Sequence, residues 1–531
     1  MQADAPVLLT DLLDRTAANH PHRPALDFMG RRWSYADVAA QVARLAGALR
    51  HRGVSPGDRV VLCLPNTPYF VIAYFAVLRA GGIVVSMNPL YTAREMAHLV
   101  ADSGATIAFV PDIPEIRDRI ASIGDVTTII LCPIADILPL PKRIAYRLLN
   151  RSRIARPERD DHRTVRFGDV VASGRVAPPV PRQPQDVAVL QYTGGTTGLP
   201  KGAALTHASL IANCLQMAGH DGAAPATAET VMGVLPMFHV FALTTVLNYS
   251  ILTAACIVLL PRFEMKPFLA AMRRTRPERL FVVPTILTAL NALPEAQLPP
   301  TAQLRLCVSG GAPLPPEVRA RFEQRTGCRV LEGYGLSEAS PIISCNPTRG
   351  EIRDGSAGIP FPDTIIEIRA LDTGEMLPAG QSGEVCVRGP QLMSGYWNRP
   401  QETGDVLVEG RLRTGDVGYL DKDGYLFLVD RIKDLILCGG YNVYPRIIED
   451  ALYEHPDVLE ATVIGVADAY RGEAPKAFVK LRAGATEDST ALRSFLVTRI
   501  SKIEMPRDIE FRDELPRTLV GKLSKKELRD T

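Results

Sequence analysis

The side chains best suited to chemistry cluster in Tyr192-Thr-Gly-Gly-Thr-Thr-Gly-Leu-Pro-Lys-Gly202. Gly194, Gly195 and Gly198 let backbone N–H groups approach an anion closely, and the hydroxyls of Thr193, Thr196 and Thr197 with the amine of Lys201 add donors and positive charge. This composition describes a phosphate cradle. It is not a Walker loop, because Leu-Pro-Lys201-Gly follows Gly198 where that loop has Gly-Lys-Ser/Thr, and it lacks the GxGxxG of a dinucleotide fold. Glycine content alone would equally suit an ordinary connection between two elements. A second candidate is His239 in Pro236-Met-Phe-His-Val-Phe-Ala242, which follows an apolar, strand-like run. Open α/β sheets collect ligands at the carboxyl ends of their strands, although an isolated histidine is more often a packed or surface residue.

The surrounding pattern supplies the scaffold. Val187-Ala-Val-Leu190 reads as a buried strand before the cradle, and a helix-like segment begins near Thr206. Upstream, Ser34 and Asp37 form a capping-box-like pair, after which Val38, Val42, Leu45 and Leu49 share one helical face until Gly53. Strands at 59–64, 83–86 and 106–110 alternate with helices at 68–80 and 92–103, which predicts a parallel, doubly wound sheet. A second series of strands at 231–235, 257–260, 280–283 and 304–308 predicts another. Between 355 and 428 short strands and turns such as Asp421-Lys-Asp-Gly424 predict a small β-barrel-like lobe. The last hundred or so residues read as a compact α+β cap.

At 531 residues the chain exceeds one ordinary core, and its net charge of +2 exerts no global pull toward nucleic acid. The first residues lack a basic stretch followed by an apolar core, so no secretory signal is expected, and no apolar run reaches membrane-span length. Nine scattered cysteines read as reduced core residues of a cytoplasmic protein. Between 139 and 157 the texture changes: Lys142, Arg143, Arg147, Arg151, Arg153 and Arg156 interleave with Ile144, Leu148, Leu149 and Ile154. Four-residue spacing puts Arg143, Arg147 and Arg151 on one helical stripe beside an apolar one. Contact with an anionic membrane and docking on the chain's own domain are both open readings.

Taken in order along the chain, these motifs resemble the adenylate-forming superfamily of acyl-CoA synthetases, luciferases and peptide-synthetase adenylation domains. Leu235-Pro-Met-Phe-His-Val-Phe-Ala-Leu-Thr244, Gly333-Tyr-Gly-Leu-Ser-Glu-Ala-Ser340 and Gly440-Tyr-Asn-Val-Tyr-Pro445 look most like bacterial long-chain fatty-acid CoA ligases. The resemblance implies an α/β fold: a large N-terminal region of two doubly wound sheets plus the small β-barrel lobe over 1–430, a hinge at 431–434 centred on Lys433, and a smaller mobile α+β domain over 435–531. By the same resemblance, the Thr193–Lys201 loop holds phosphates and Gly311 and Ala312 line the adenine and acyl pocket. Gly333, Tyr334 and Gly335 present the aromatic ring that stacks on adenine, Ser337 touches the α-phosphate, and Glu338 helps to hold Mg²⁺. Asp416 binds the ribose hydroxyls, Arg431 contacts ribose or phosphate, and Lys522 in Pro516-Arg-Thr-Leu-Val-Gly-Lys522 is the mobile catalytic lysine. His239, Phe238, Phe241 and Leu243 border the acyl pocket, and Gly439, Gly440 and Tyr441 form a CoA tunnel. Three positions depart from the family pattern: Ser337 stands where Thr is usual, Arg411 where Trp is usual, and Glu504 within a replaced aromatic-Lys pair.

The implied reaction joins a fatty carboxylate to CoA through acyl-AMP at the expense of ATP, with Mg²⁺, as a step of fatty-acid and lipid metabolism. Thr193, His239, Glu338 and Lys522 are the expected catalytic set. Medium-chain, dicarboxylate and aryl-CoA ligases share these motifs, and a carrier-dependent adenylation enzyme or an inactive lipid-binding sensor shares the fold. Neither chain length nor oligomeric state is legible, and a homodimer is compatible with the sequence. The expected location is the cytoplasm, with the inner face of the membrane as an option through the basic helix.

Overall fold

A computed structural model describes residues 7–150, 154–155, 161–193, 200–222, 229–439, 441–468, 470–518 and 522–529. Apolar strands such as Ile83–Ser86 and Ile107–Pro111, buried along their whole length, need cover on both faces. They lie in an eight-stranded sheet ordered Gly395–Tyr396, Lys201–Thr206, Val187–Thr193, Ile83–Ser86, Arg59–Leu62, Ile107–Pro111, Thr128–Cys132 and Thr164–Arg166. The helix Pro68–Arg79, apolar all round and buried from Pro68 to Leu78, belongs to the main core. Ser34 and Asp37 form the capping box of helix Tyr35–His51 as their spacing predicts.

The second sheet has nine strands. Cys256–Leu259, Thr230–Gly233, Arg279–Val282, Leu306–Gly310 and Val330–Gly335 run parallel through its middle. Its edges are Ile342–Cys345 with Ile359–Pro360 on one side and the hairpin Pro24–Phe28 and Arg31–Ser34 on the other. The first strand of the chain thus pairs with one more than two hundred residues later, Leu26 opposite Ile257, which local alternation does not announce.

The lobe expected between 355 and 428 is a five-stranded antiparallel sheet. Its central strand Arg411–Leu420 has Gly383–Arg388 on one side, while Leu407–Val408 and Leu426–Arg431 each pair with part of its length. A register shift between Val417 and Gly418 bends this long strand, and the sheet's pairing stays open among the described residues. Leu426–Arg431 is the last strand of the lobe and Ile436–Cys438 the first of the C-terminal sheet, with the single turn Ile432–Asp434 between them. The C-terminal sheet is built on the long hairpin Val458–Asp468 and Gly472–Leu481 and has its own apolar core.

Two buried polar clusters fix the elements behind the site. Asn66, at the carboxyl end of strand Arg59–Leu62, is 1% exposed. Its amide donates to the carbonyls of Gly233 (3.1 Å) and Leu235 (2.7 Å), and its side-chain oxygen accepts from the N–H of Met237 (2.8 Å). One side chain of the first sheet therefore satisfies three backbone groups in the segment that leaves the second. Arg279 is ion-paired with Asp221 and Glu229, and the hydroxyl of Tyr249 donates to Asp221. These residues tie the end of helix His207–Asp221 to the helical stretch 240–252 and to the start of strand Arg279–Val282. Removing the cation from two enclosed carboxylates is costly, so Arg279→Leu should lower unfolding stability by about 3–5 kcal/mol in urea denaturation. A change within experimental error would show that the cluster does not hold these elements.

Candidate functional site

Lys522 comes from the C-terminal domain, yet its side chain lies against the N-terminal sheet. Thr518 N–H donates to the Lys522 carbonyl (2.7 Å) and Lys522 N–H to the Thr518 hydroxyl (3.2 Å). A Cβ added to Gly311 would stand 2.8 Å from Lys522 Cε and 3.2 Å from Nζ. Gly311 also has φ +81°, so both the backbone and the close approach require glycine there. Burial, and next the charge of Arg431, bring the Lys522 amine down to about 8, while Asp416 pulls the other way.

Asp416 and Arg431 face each other across antiparallel strands, Arg431 Nε standing 3.1 Å from Asp416 Oδ1. The other carboxylate oxygen accepts the Tyr334 hydroxyl at 2.6 Å. Tyr334 is packed in the core of the lobe with Ala339, Ile343 and Leu426, and Asp416 is 6% exposed. The carboxylate is therefore held from two sides at the end of strand Val330–Gly335. Gly335 cannot be replaced there, because a Cβ would lie 2.1 Å from the Pro341 carbonyl oxygen.

Glu338 sits on the single turn Ser337–Ala339, and its backbone carbonyl accepts from Met393 N–H at 2.8 Å. Its carboxylate accepts the Tyr396 hydroxyl at 2.8 Å. Burial, then the Glu338 charge, push that hydroxyl well above its usual range, so it remains a donor. The Lys201 amine lies 5.2 Å from the centroid of the same ring. Tyr396 thus joins the carboxylate to Lys201 at the end of the glycine-threonine run, and motif reading missed it because it belongs to a two-residue strand with no periodicity. Thr193 and Lys201 are opposite one another in the hairpin formed by Val187–Thr193 and Lys201–Thr206. Gly194, Gly195, Thr196, Thr197 and Gly198 lie outside the described residues.

His239 caps the helical stretch 240–252, its Nδ1 accepting the Phe241 N–H at 3.3 Å. In the neutral ring the proton then resides on Nε2. Burial first, and the Lys522 charge second, hold the imidazole down to about 3, so the ring is uncharged at neutral pH. Gln191 of the first sheet donates to the Phe238 carbonyl at 3.0 Å, which, with Asn66, holds the segment before His239. The Phe241 ring packs over Gly310, where a Cβ would come within 3.1 Å of its Cζ. Leu243 is fully buried in the main core and Phe238 is half-buried against it.

The remaining candidates are more dispersed. Ala312 follows Gly311 in the same turn. Lys433 lies in the turn Ile432–Asp434, its amine lowered by burial and by Arg431, and neighbouring Asp434 pairs with Arg529 at 2.8 Å. Gly439 N–H donates to the Arg471 carbonyl at 2.7 Å, and Tyr441, on the next strand, is 67% exposed. Gly440 lies outside the described residues. Arg411 pairs with Glu409 at 2.7 Å on the lobe, and Glu504 accepts the Ser501 N–H at 2.7 Å in a local turn.

Residues 13–397 match the family model described as AMP-binding enzyme, and residues 447–522 match that of the AMP-binding enzyme C-terminal domain. The long-chain-fatty-acid–CoA ligase of Bacillus subtilis (strain 168) is 40% identical over 526 residues, covering 98% of this chain and 94% of its own. The feruloyl-CoA synthase of an Amycolatopsis species is 35% identical and covers 97% of both chains. The crystal structure of ATP-bound MatB from Rhodopseudomonas palustris superposes with a TM-score of 0.87 at 31% identity, over 99% of this chain and 98% of that one. Both family models match in their expected order, and near-full-length relatives agree with them: the chain belongs to the AMP-binding enzyme family.

Proposed function

We propose that the protein is an AMP-forming acid–thiol ligase that activates a fatty carboxylate, preferentially of long chain, and transfers it to CoA. The observation that carries this reading is Lys522 reaching from one domain to the Gly311 turn of the other, beside Asp416 and Arg431. The name of the Bacillus subtilis relative supports the long-chain acid. The Amycolatopsis relative favours an aryl acid as the second reading.

Two anions must meet for the first half-reaction. A carboxylate oxygen attacks the α-phosphorus of ATP, the bond to the β-phosphate oxygen breaks, and pyrophosphate leaves. Lys522 spans the carboxylate and the α-phosphate and offsets their repulsion, while Thr193, the glycine-threonine loop and Lys201 hold the β- and γ-phosphates. Ser337 supplies a hydroxyl to the α-phosphate. Asp416, fixed by Tyr334 and Arg431, accepts from the ribose diol, and the Gly311–Ala312 turn and the strand end Gly333–Gly335 let adenine lie close to backbone. Glu338 suits Mg²⁺, since a carboxylate oriented by one hydroxyl and adjoining a phosphate loop is the donor set a hard cation prefers. Bound there, Mg²⁺ would neutralise phosphate charge.

For the second half-reaction the C-terminal domain turns about Lys433, which withdraws Lys522 and brings Gly439, Gly440 and Tyr441 to the site. The CoA thiolate attacks the acyl carbonyl and AMP leaves. His239, neutral with its proton on Nε2, donates a hydrogen bond beside Phe238 and Phe241 without adding charge that would hold the thiolate back. The enzyme works in the cytoplasm, at the inner face of an anionic membrane.

Lys522→Ala should lower acyl-AMP formation by about a thousandfold while conversion of supplied acyl-AMP to the thioester persists. Equal loss of both half-reactions in single-turnover assays would overturn this division. Across C4 to C18 fatty acids, dicarboxylates and benzoates, CoA-dependent AMP release should peak at the long chains; a peak at aromatic acids would transfer the assignment to the second reading. Because His239 stays neutral down to about 3, its protonation should leave no limb in the adenylation rate between pH 5.5 and 7.5. A limb near 6.5 that disappears in His239→Asn would contradict that charge state.

A further inference from the structure

The helix Leu140–Leu149 is turned inside out relative to an ordinary surface helix. None of its residues is buried. Leu140 is 69% exposed, Ile144 54%, Leu148 74% and Leu149 82%. At roughly 100° per residue, Leu140, Pro141, Ile144, Ala145, Leu148 and Leu149 all fall within one half-turn of the helix circumference. That arc faces solvent and contains no charge. Tyr146, on the opposite side, is the residue that packs on the main core.

Cations line the flanks of the arc. Arg143 and Arg147 lie on one side, both held by Asp136 at 3.1 and 2.7 Å, with their side chains still 36% and 49% exposed. Arg166 stands 3.9 Å from the same carboxylate, and Arg31 donates to the Asp136 carbonyl at 2.6 Å. Lys142, on the other flank, donates to the Met29 carbonyl at 2.9 Å. One carboxylate is thus set against several cations, and the pairing anchors the arginines at the rim of the apolar ridge.

We propose that this ridge docks the protein on an anionic lipid surface, with Leu140, Ile144, Leu148 and Leu149 entering the headgroup boundary and the lysine and arginines contacting lipid phosphates. A ridge of this length without charge is exposed at a cost in water and is matched by a bilayer interface. A two-fold contact between copies would set the basic rim against itself, which like-charge repulsion disfavours. The inference deepens the proposed activity, because a surface that dissolves long-chain acids is where such a substrate is found, and it rests on that reading only for its purpose.

Full-length protein should float with phosphatidylglycerol vesicles and not with phosphatidylcholine vesicles, and binding should fall as salt rises. Ile144→Asp/Leu148→Asp, both at exposed positions, should weaken vesicle binding by about a hundredfold. Its circular dichroism and its turnover of a short, soluble acid should match the wild type. Failure of the wild type to bind anionic vesicles, or equal binding by the double variant, would overturn the proposal. So would a double variant that converts a dimer to a monomer in sedimentation while keeping vesicle binding. Vesicle binding that follows this pattern in a protein turning over no acid would overturn the proposed activity and leave the docking surface standing.

Discussion

A buried amide ties the backbone of one half of the large domain to the other. Asn66, in the connection that follows strand Arg59–Leu62, satisfies three backbone groups in the segment leaving the second sheet, so the carboxyl ends of the two parallel stacks open onto a common place. An apolar side chain there would leave those groups without partners in a dry interior, and the segment could not keep its path. His239 follows on that path, Gln191 steadies Phe238 just before it, and Phe241 reaches the Gly310–Gly311 turn. The lobe adds Asp416 at the edge of this place and Lys522 enters it from the last domain. Chemistry is thereby assembled from four separate stretches of chain, none of which contains the site.

Charge in this region is graded. Asp416 is held by a hydroxyl and a guanidinium, Glu338 accepts a hydroxyl, and His239 is kept neutral by burial and by the amine nearby. The imidazole is thus presented in one state, which suits a reaction whose difficulty is bringing anions together rather than moving protons.

Much of the architecture was legible from local pattern. The Ser34–Asp37 capping box, the strand before the phosphate loop and the alternation of both sheets follow from periods of two and 3.6 residues and appear where those periods place them. Pairings distant in sequence were not legible. The strand Pro24–Phe28 crosses to the second sheet, and Asn66 and Tyr396 act on residues far along the chain, so no window of sequence contains both partners. The stripe of Arg143, Arg147 and Arg151 was readable from spacing, and the first two lie on helix Leu140–Leu149 while Arg151, Arg153 and Arg156 lie outside the described residues; spacing does not say which face is turned outward, and the packing of Tyr146 does.

Burial first, and the like charge of Arg431 second, lower the affinity of the Lys522 amine for its proton. In the proposed reaction the triphosphate is the missing counter-ion. Its arrival makes the inward position of the lysine favourable, and the departure of pyrophosphate carries most of that negative charge away. The force that draws the C-terminal domain in is thus withdrawn by the reaction it assists. In that proposal the domain's swing is timed by the charge state of what lies in the cleft, and the product of the first step releases the arm that made it.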